Sequence, residues 1–155
     1  MHRMPVVAET TPIQPQPPFD EVALDRYLST HLPDYRGKLE VRQFLSGQSN
    51  PTFLLEADTR GGARKRYVLR KQPPGKLLPS AHQVDREFRV ISALHAQNFP
   101  VAAPLAFCAD EGVAGTPFYV MTYADGRVFW EPQMPASNPA ERAAVYDAMN
   151  LTIAR

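Results

Sequence analysis

The stretch Tyr67-Val68-Leu69-Arg70-Lys71-Gln72-Pro73-Pro74-Gly75-Lys76-Leu77-Leu78-Pro79-Ser80-Ala81-His82-Gln83-Val84-Asp85-Arg86-Glu87 decides how this chain folds. It opens as a strand, breaks on prolines and ends inside a helix. Side chains alternate along a strand, so Val68 and Arg70 share one face while Tyr67, Leu69 and Lys71 share the other. Pro73, Pro74, Gly75 and Pro79 hold the chain out of regular structure. Ser80 with Gln83 three residues on has the pattern of a capping box. The spacing predicts a helix from Ser80 to about Gln97, with Val84, Phe88, Ile91 and His95 along one face. At about 100° per residue, Glu87 falls inside the arc of Leu94, Ile91, Val84 and Phe88. A carboxylate on an apolar face needs a partner unless it reaches water. Arg86 and Arg89 point elsewhere, which leaves Arg70 or Lys71 of the strand as candidates.

Outward from this stretch the apolar period switches between helix and strand. Phe19 to Leu32 sets Val22, Leu24, Tyr27, Leu28 and Leu32 at helical spacing before Pro33 stops it. Leu39 to Phe44 alternates as a strand, Ser46-Gly47-Gln48-Ser49-Asn50-Pro51 is a turn by composition, and Thr52 to Ala57 resumes strand chemistry. Asp58 to Arg66, with Gly61-Gly62, reads as a hairpin loop. Two further strands, Leu105 to Ala109 and Phe118 to Tyr123, flank a loop carrying Asp110, Gly112 and Gly115. Asn138 can cap a last helix with Pro139 in its first turn and Val145, Ala148, Met149 and Thr152 on one side. Short links between consecutive strands predict an α+β domain with a five-stranded antiparallel sheet and one packed helix.

Composition narrows the function classes. The 155 residues carry 17 Lys and Arg against 16 Asp and Glu, a formal net charge of +1. That balance excludes a polycation built to coat nucleic acid or an anionic membrane. No apolar run approaches the ~20 residues that span a bilayer, and the N-terminus shows no apolar signal region. Cys108 is the single cysteine, which rules out an intramolecular disulfide and predicts a reducing, cytoplasmic setting. His2, His31, His82 and His95 do not pair with it at zinc-ligand spacing. Pro5, Pro12, Pro15, Pro17 and Pro18 crowd residues 1–18, which read as an extended or disordered tail. Arg60, Arg64, Lys65 and Arg66 read as a solvated hairpin tip rather than a nucleic-acid surface.

Four features occur in sequence order: the small polar turn Ser46–Thr52, suited to approaching an anion; the strand cation; the helix carboxylate Glu87; and the strand Phe118-Tyr119-Val120-Met121-Thr122-Tyr123 running into Ala124-Asp125-Gly126. In that order they resemble the small lobe of the protein-kinase-like fold. More narrowly, the chain resembles the aminoglycoside phosphotransferase/choline kinase branch, and within it the phosphotransferase domain fused to acyl-CoA dehydrogenase-like proteins. The resemblance is carried by Gly47 to Thr52, Tyr67 to His82, Val84 to Glu87 and Gly115 to Met121, and it extends over nearly all of residues 20–155.

The resemblance implies ATP as cofactor, with Mg2+, and a small-molecule hydroxyl as acceptor, either a hydroxylated acyl thioester or an aminoglycoside. Gly47, Gln48, Ser49 and Asn50 would cover the phosphates. Arg70 would stand where relatives place a phosphate-binding Lys, held by Glu87. Val68 and Met121 would line the adenine site, and the backbone of Thr122 and Ala124 would meet the adenine edge. Residues 19–124 would be the nucleotide-binding small lobe and 125–155 the hinge and start of a large lobe. The family's His-Gly-Asp catalytic loop, with an Asn five residues after its Asp, does not occur in this sequence, nor does its second Asp metal motif. The catalytic base and both magnesium ligands are therefore expected outside this chain, leaving it inactive alone; the alternative reading is a non-catalytic truncated module that binds nucleotide or serves as an interaction piece. Self-association through an exposed lobe surface is expected.

Overall fold

The computed structural model describes residues 10–12, 19–45, 50–75, 83–129 and 131–154. Strands β1 (Thr10–Pro12), β2 (Glu40–Phe44), β3 (Thr52–Asp58), β4 (Arg64–Lys71), β5 (Pro104–Cys108) and β6 (Phe118–Thr122) alternate with helices α1 (Glu21–His31), α2 (Val84–Ala96), α3 (Glu111–Ala114) and α4 (Pro139–Ile153). The strands form one antiparallel sheet in the order β1-β2-β3-β4-β6-β5. It contains the five strands read from the sequence and an added edge strand, β1, pairing Thr10 to Pro12 with Phe44 to Arg42. These three residues depart from the reading of 1–18 as a tail. Two consecutive Thr favour extended backbone, and at an edge Pro12 interrupts no further ladder. The rest of that segment, with the Ser80 half of the capping box and His82, lies outside the described residues.

The sheet is covered on both faces, by different elements. Phe53, Leu55 and Ala57 of β3, Tyr67 and Leu69 of β4, Phe118 and Val120 of β6, and Ala106 and Cys108 of β5 pack with Leu24 and Leu28 of α1 into one core. Leu24 and Leu28 are fully buried, each worth about 1.5–3 kcal/mol of apolar burial. Phe19 meets Phe53 edge-on, with centroids 5.1 Å apart. Asp20 caps α1 by accepting from the Val22 N–H at 2.8 Å. Val22 itself is exposed, although its spacing fitted the apolar face.

The opposite face receives α2. Phe88 packs against Phe107 and Tyr119, at centroid distances of 5.7 and 5.9 Å. Val84 is buried, whereas His95 is exposed at the far end of the helix. Gln83 is the N-cap residue without a side-chain capping bond. Two further departures concern loops. The β3–β4 ladder continues to Asp58–Arg64, so Arg64, Lys65 and Arg66 belong to a strand rather than a loop. The segment expected as a loop between β5 and β6 contains α3, capped by Asp110 and ended by Gly115 at φ 78°, a left-handed turn that glycine adopts without strain.

The described residues up to Ala124 form one compact unit and those from Asp125 a second. In the second, Asn138 and Glu141 form a reciprocal capping box at the start of α4, with Pro139 in the first turn. Arg142 donates to Ser137 O at 2.7 Å, and Tyr146 OH donates to Pro132 O at 2.7 Å.

Candidate functional site

Register places the site. Antiparallel pairing aligns Thr52 with Arg70, Arg70 with Tyr119, and Tyr119 with Phe107, so one row crosses β3, β4, β6 and β5 on the α2 face. The next row on that face aligns Leu54 with Val68 and Val68 with Met121. Glu87 reaches the first row from α2. Arg70 Nε lies 2.7 Å from Glu87 Oε2, and an Arg70 terminal nitrogen donates to Oε1 at 3.4 Å. The Nε approach is an ionic contact off the N–H axis rather than a directed hydrogen bond. The side chains are 29% and 34% exposed, so the pair is open to solvent on one side.

Two neutral donors complete the carboxylate. Asn50 Nδ2 donates to Glu87 Oε1 at 2.9 Å, and Tyr119 OH donates to Oε2 at 3.1 Å. Asn50 is 2% exposed and Tyr119 3%. Burial, followed by the neighbouring Glu87 charge, pushes the Tyr119 phenol well above its ordinary range, keeping it a neutral donor. Tyr119 was not singled out in the sequence. Its parity with Met121 on the same strand was the available signal, but its register opposite Arg70 was not.

The two strand cations part company. Lys71 points to the α1 face, is 2% exposed, donates from Nζ to Ala114 O at the end of α3 and lies 5.2 Å from the centre of the Phe19 ring. Desolvation lowers its pKa. A cation on helix-terminal carbonyls is a structural arrangement, and the partner of Glu87 is Arg70.

Of the sequence-derived site residues, Asn50, Arg70 and Glu87 are in direct contact, and Val68 and Met121 form the adjoining cross-strand pair. Thr122 donates its N–H to Ala103 O at 2.9 Å, and its hydroxyl accepts from Ala103 N at 2.9 Å. Ala124 is exposed, and among the described residues its N–H donates to no acceptor. Gly47, Gln48 and Ser49 lie outside the described residues. Among the described residues, no three His, Cys, Asp or Glu side chains come together as a metal site. Nor is any helix among them long and apolar enough to cross a membrane.

The chain is 46% identical over 155 residues to acyl-CoA dehydrogenase family member 11 of Rattus norvegicus, covering 97% of this chain and 19% of the relative. It is 48% identical over 150 residues to the Gallus gallus protein of the same name, covering 94% and 19%. The chain thus spans about one fifth of the curated relatives it matches. A crystal structure from Ralstonia eutropha JMP134, described as an aminoglycoside phosphotransferase, superposes with a TM-score of 0.69 at 43% identity, covering 88% of this chain and 37% of that one. The α+β sheet and helices therefore match part of a kinase-like fold. Residues 40–155 also match the profile of the phosphotransferase enzyme family, and the chain belongs to that family.

Proposed function

We propose that residues 19–124 form the nucleotide-binding lobe of a small-molecule kinase that transfers the γ-phosphoryl group of ATP to an acceptor hydroxyl, with 125–155 as the hinge and start of the acceptor-binding part. The observation that carries this reading is the Arg70–Glu87 ion pair between β4 and α2, beside the Val68–Met121 pair. A guanidinium held by a carboxylate at one edge keeps its remaining N–H groups directed outward, where they can grip phosphate oxygens. Val68 and Met121 supply an apolar surface for a planar base. Thr122 has spent its N–H on Ala103, so it offers its carbonyl, and Ala124 offers a free N–H. That set fits an adenine edge, which presents both a donor and an acceptor. Gly47, Gln48 and Ser49 would cover the phosphates.

ATP supplies the transferable phosphoryl group when bound; this chain's residues bind and orient it. No residue described here is assigned to Mg2+, because the acidic side chains do not converge. Phosphoryl transfer needs a base and metal ligands, and the His-Gly-Asp motif does not occur in the 155 residues. The reading for this chain is therefore nucleotide binding without transfer, in the cytoplasm. Exposed Met149, Leu151 and Ile153 on α4 support self-association, observable by sedimentation velocity.

Calorimetric titration of the chain with ATP and Mg2+ tests the proposal. Saturable binding lost in Arg70→Ala and Glu87→Ala is the expected result. A folded wild-type chain that does not bind refutes it.

A further inference from the structure

We propose that Asn50 and Tyr119 are positioning residues that lock the plane of the Glu87 carboxylate, and that Asn50 serves the nucleotide through Glu87 rather than by touching phosphate. The inference rests on the nucleotide-binding reading above.

A carboxylate has two oxygens with about four lone-pair directions. At Glu87 each oxygen takes one contact from Arg70 and one from a neutral donor: Oε1 from Asn50, Oε2 from Tyr119. The neutral donors come from different parts of the sheet, Asn50 from two residues before β3 and Tyr119 from β6. Arg70 reaches both oxygens, but its Nε contact is off the N–H axis and its terminal-nitrogen contact is long at 3.4 Å, so the ion pair alone holds the carboxylate only loosely about its last bond, a broad torsion. Donors arriving at both oxygens remove that freedom. The guanidinium is then held in one plane, so its outward N–H groups keep one direction. Asn50 is almost fully buried with its amide on Glu87, and the Tyr119 ring packs against Phe88, the residue next to Glu87. The Asn50 contact ties that residue to α2.

A double-mutant cycle tests this. Nucleotide affinity is measured with ATP and Mg2+ for Asn50→Ala and Tyr119→Phe, each with Glu87 intact and with Glu87→Gln, which retains measurable binding if its amide partly replaces the carboxylate. Urea unfolding is followed on the same proteins. Each single substitution is expected to weaken binding by about 3–10-fold with Glu87 intact and less than about 2-fold in the Glu87→Gln background. An equal loss in both backgrounds overturns the proposal, since Asn50 or Tyr119 would then act independently of Glu87. No loss with Glu87 intact also overturns it. Should Asn50→Ala fail to fold, Tyr119→Phe, which removes only the hydroxyl, carries the test. If no protein binds nucleotide, the functional reading fails. The unfolding cycle then decides the locking separately: coupling of at least about 3-fold in the unfolding equilibrium supports it, and additivity overturns it.

Discussion

Glu87→Ala should destabilise the chain more than Arg70→Ala, although the two side chains form a single ion pair. The pair is about one-third exposed on each side, so solvent screening confines its own contribution to roughly 0–1 kcal/mol. Without Arg70, the carboxylate still accepts from Asn50 and Tyr119 and reaches water. Without Glu87, the nearly buried Tyr119 hydroxyl loses the acceptor that satisfies it, and Asn50 loses one of its contacts. A buried donor left unpaired costs about 1–3 kcal/mol. Asn50 keeps other interactions, so Tyr119 dominates. The expected losses are about 2–4 kcal/mol for Glu87→Ala and about 1 kcal/mol for Arg70→Ala. With a urea slope of about 2 kcal/mol per molar, the two midpoints should differ by about 0.5–1.5 M. Adding Tyr119→Phe to Glu87→Ala should recover part of the loss, because the stranded hydroxyl goes with its acceptor. A loss for Arg70→Ala as large as that for Glu87→Ala would refute the reasoning.

Two other outcomes follow from the core. Tyr27 donates its hydroxyl to Phe107 O at 2.9 Å, and burial pushes its pKa up from 10.0 to about 12. A phenol favoured in its neutral form stabilises the native state fully below the unfolded value and loses that contribution as pH rises from about 10 through about 12. Tyr27→Phe should cost about 1 kcal/mol near neutrality, and the gap from wild type should shrink as pH rises from about 10 towards about 12; a widening gap in urea melts contradicts this. Leu28→Ala, at a fully buried position of α1, should lower stability by about 3–5 kcal/mol. Denaturation midpoints would show it, and a loss under about 1 kcal/mol would mean that α1 does not cover the sheet.

Strand parity and helical arc were legible before any coordinates. Val68 with Arg70 on one face, and Glu87 inside the apolar arc of its helix, follow from the 2.0 and 3.6 residue periods, which are local backbone geometry. Asn138 with Pro139 announced the start of α4 for the same local reason, since a cap is satisfied within one turn. The edge strand β1 was not legible. Its strand character depends on the free edge that β2 offers, and residues 10–12 carry no apolar alternation to report it. α3 was missed because a helix of four residues has too little periodicity to read.

The sequence alone determined the α+β class, the resemblance to phosphotransferases, and the assignment of Arg70 and Lys71 to opposite faces. Only tertiary structure decided which face receives α2, and therefore that Arg70 meets Glu87 while Lys71 is buried against Phe19 and Ala114. It also decided that Tyr119 lies opposite Arg70 and that the Asn50 amide turns inward. The contacts of Glu87 with Arg70, Tyr119 and Asn50 join residues 17, 32 and 37 positions apart. Pairing register across strands, and the seat of a helix on a sheet, are set by the packing of the whole core rather than by the preferences of neighbouring residues.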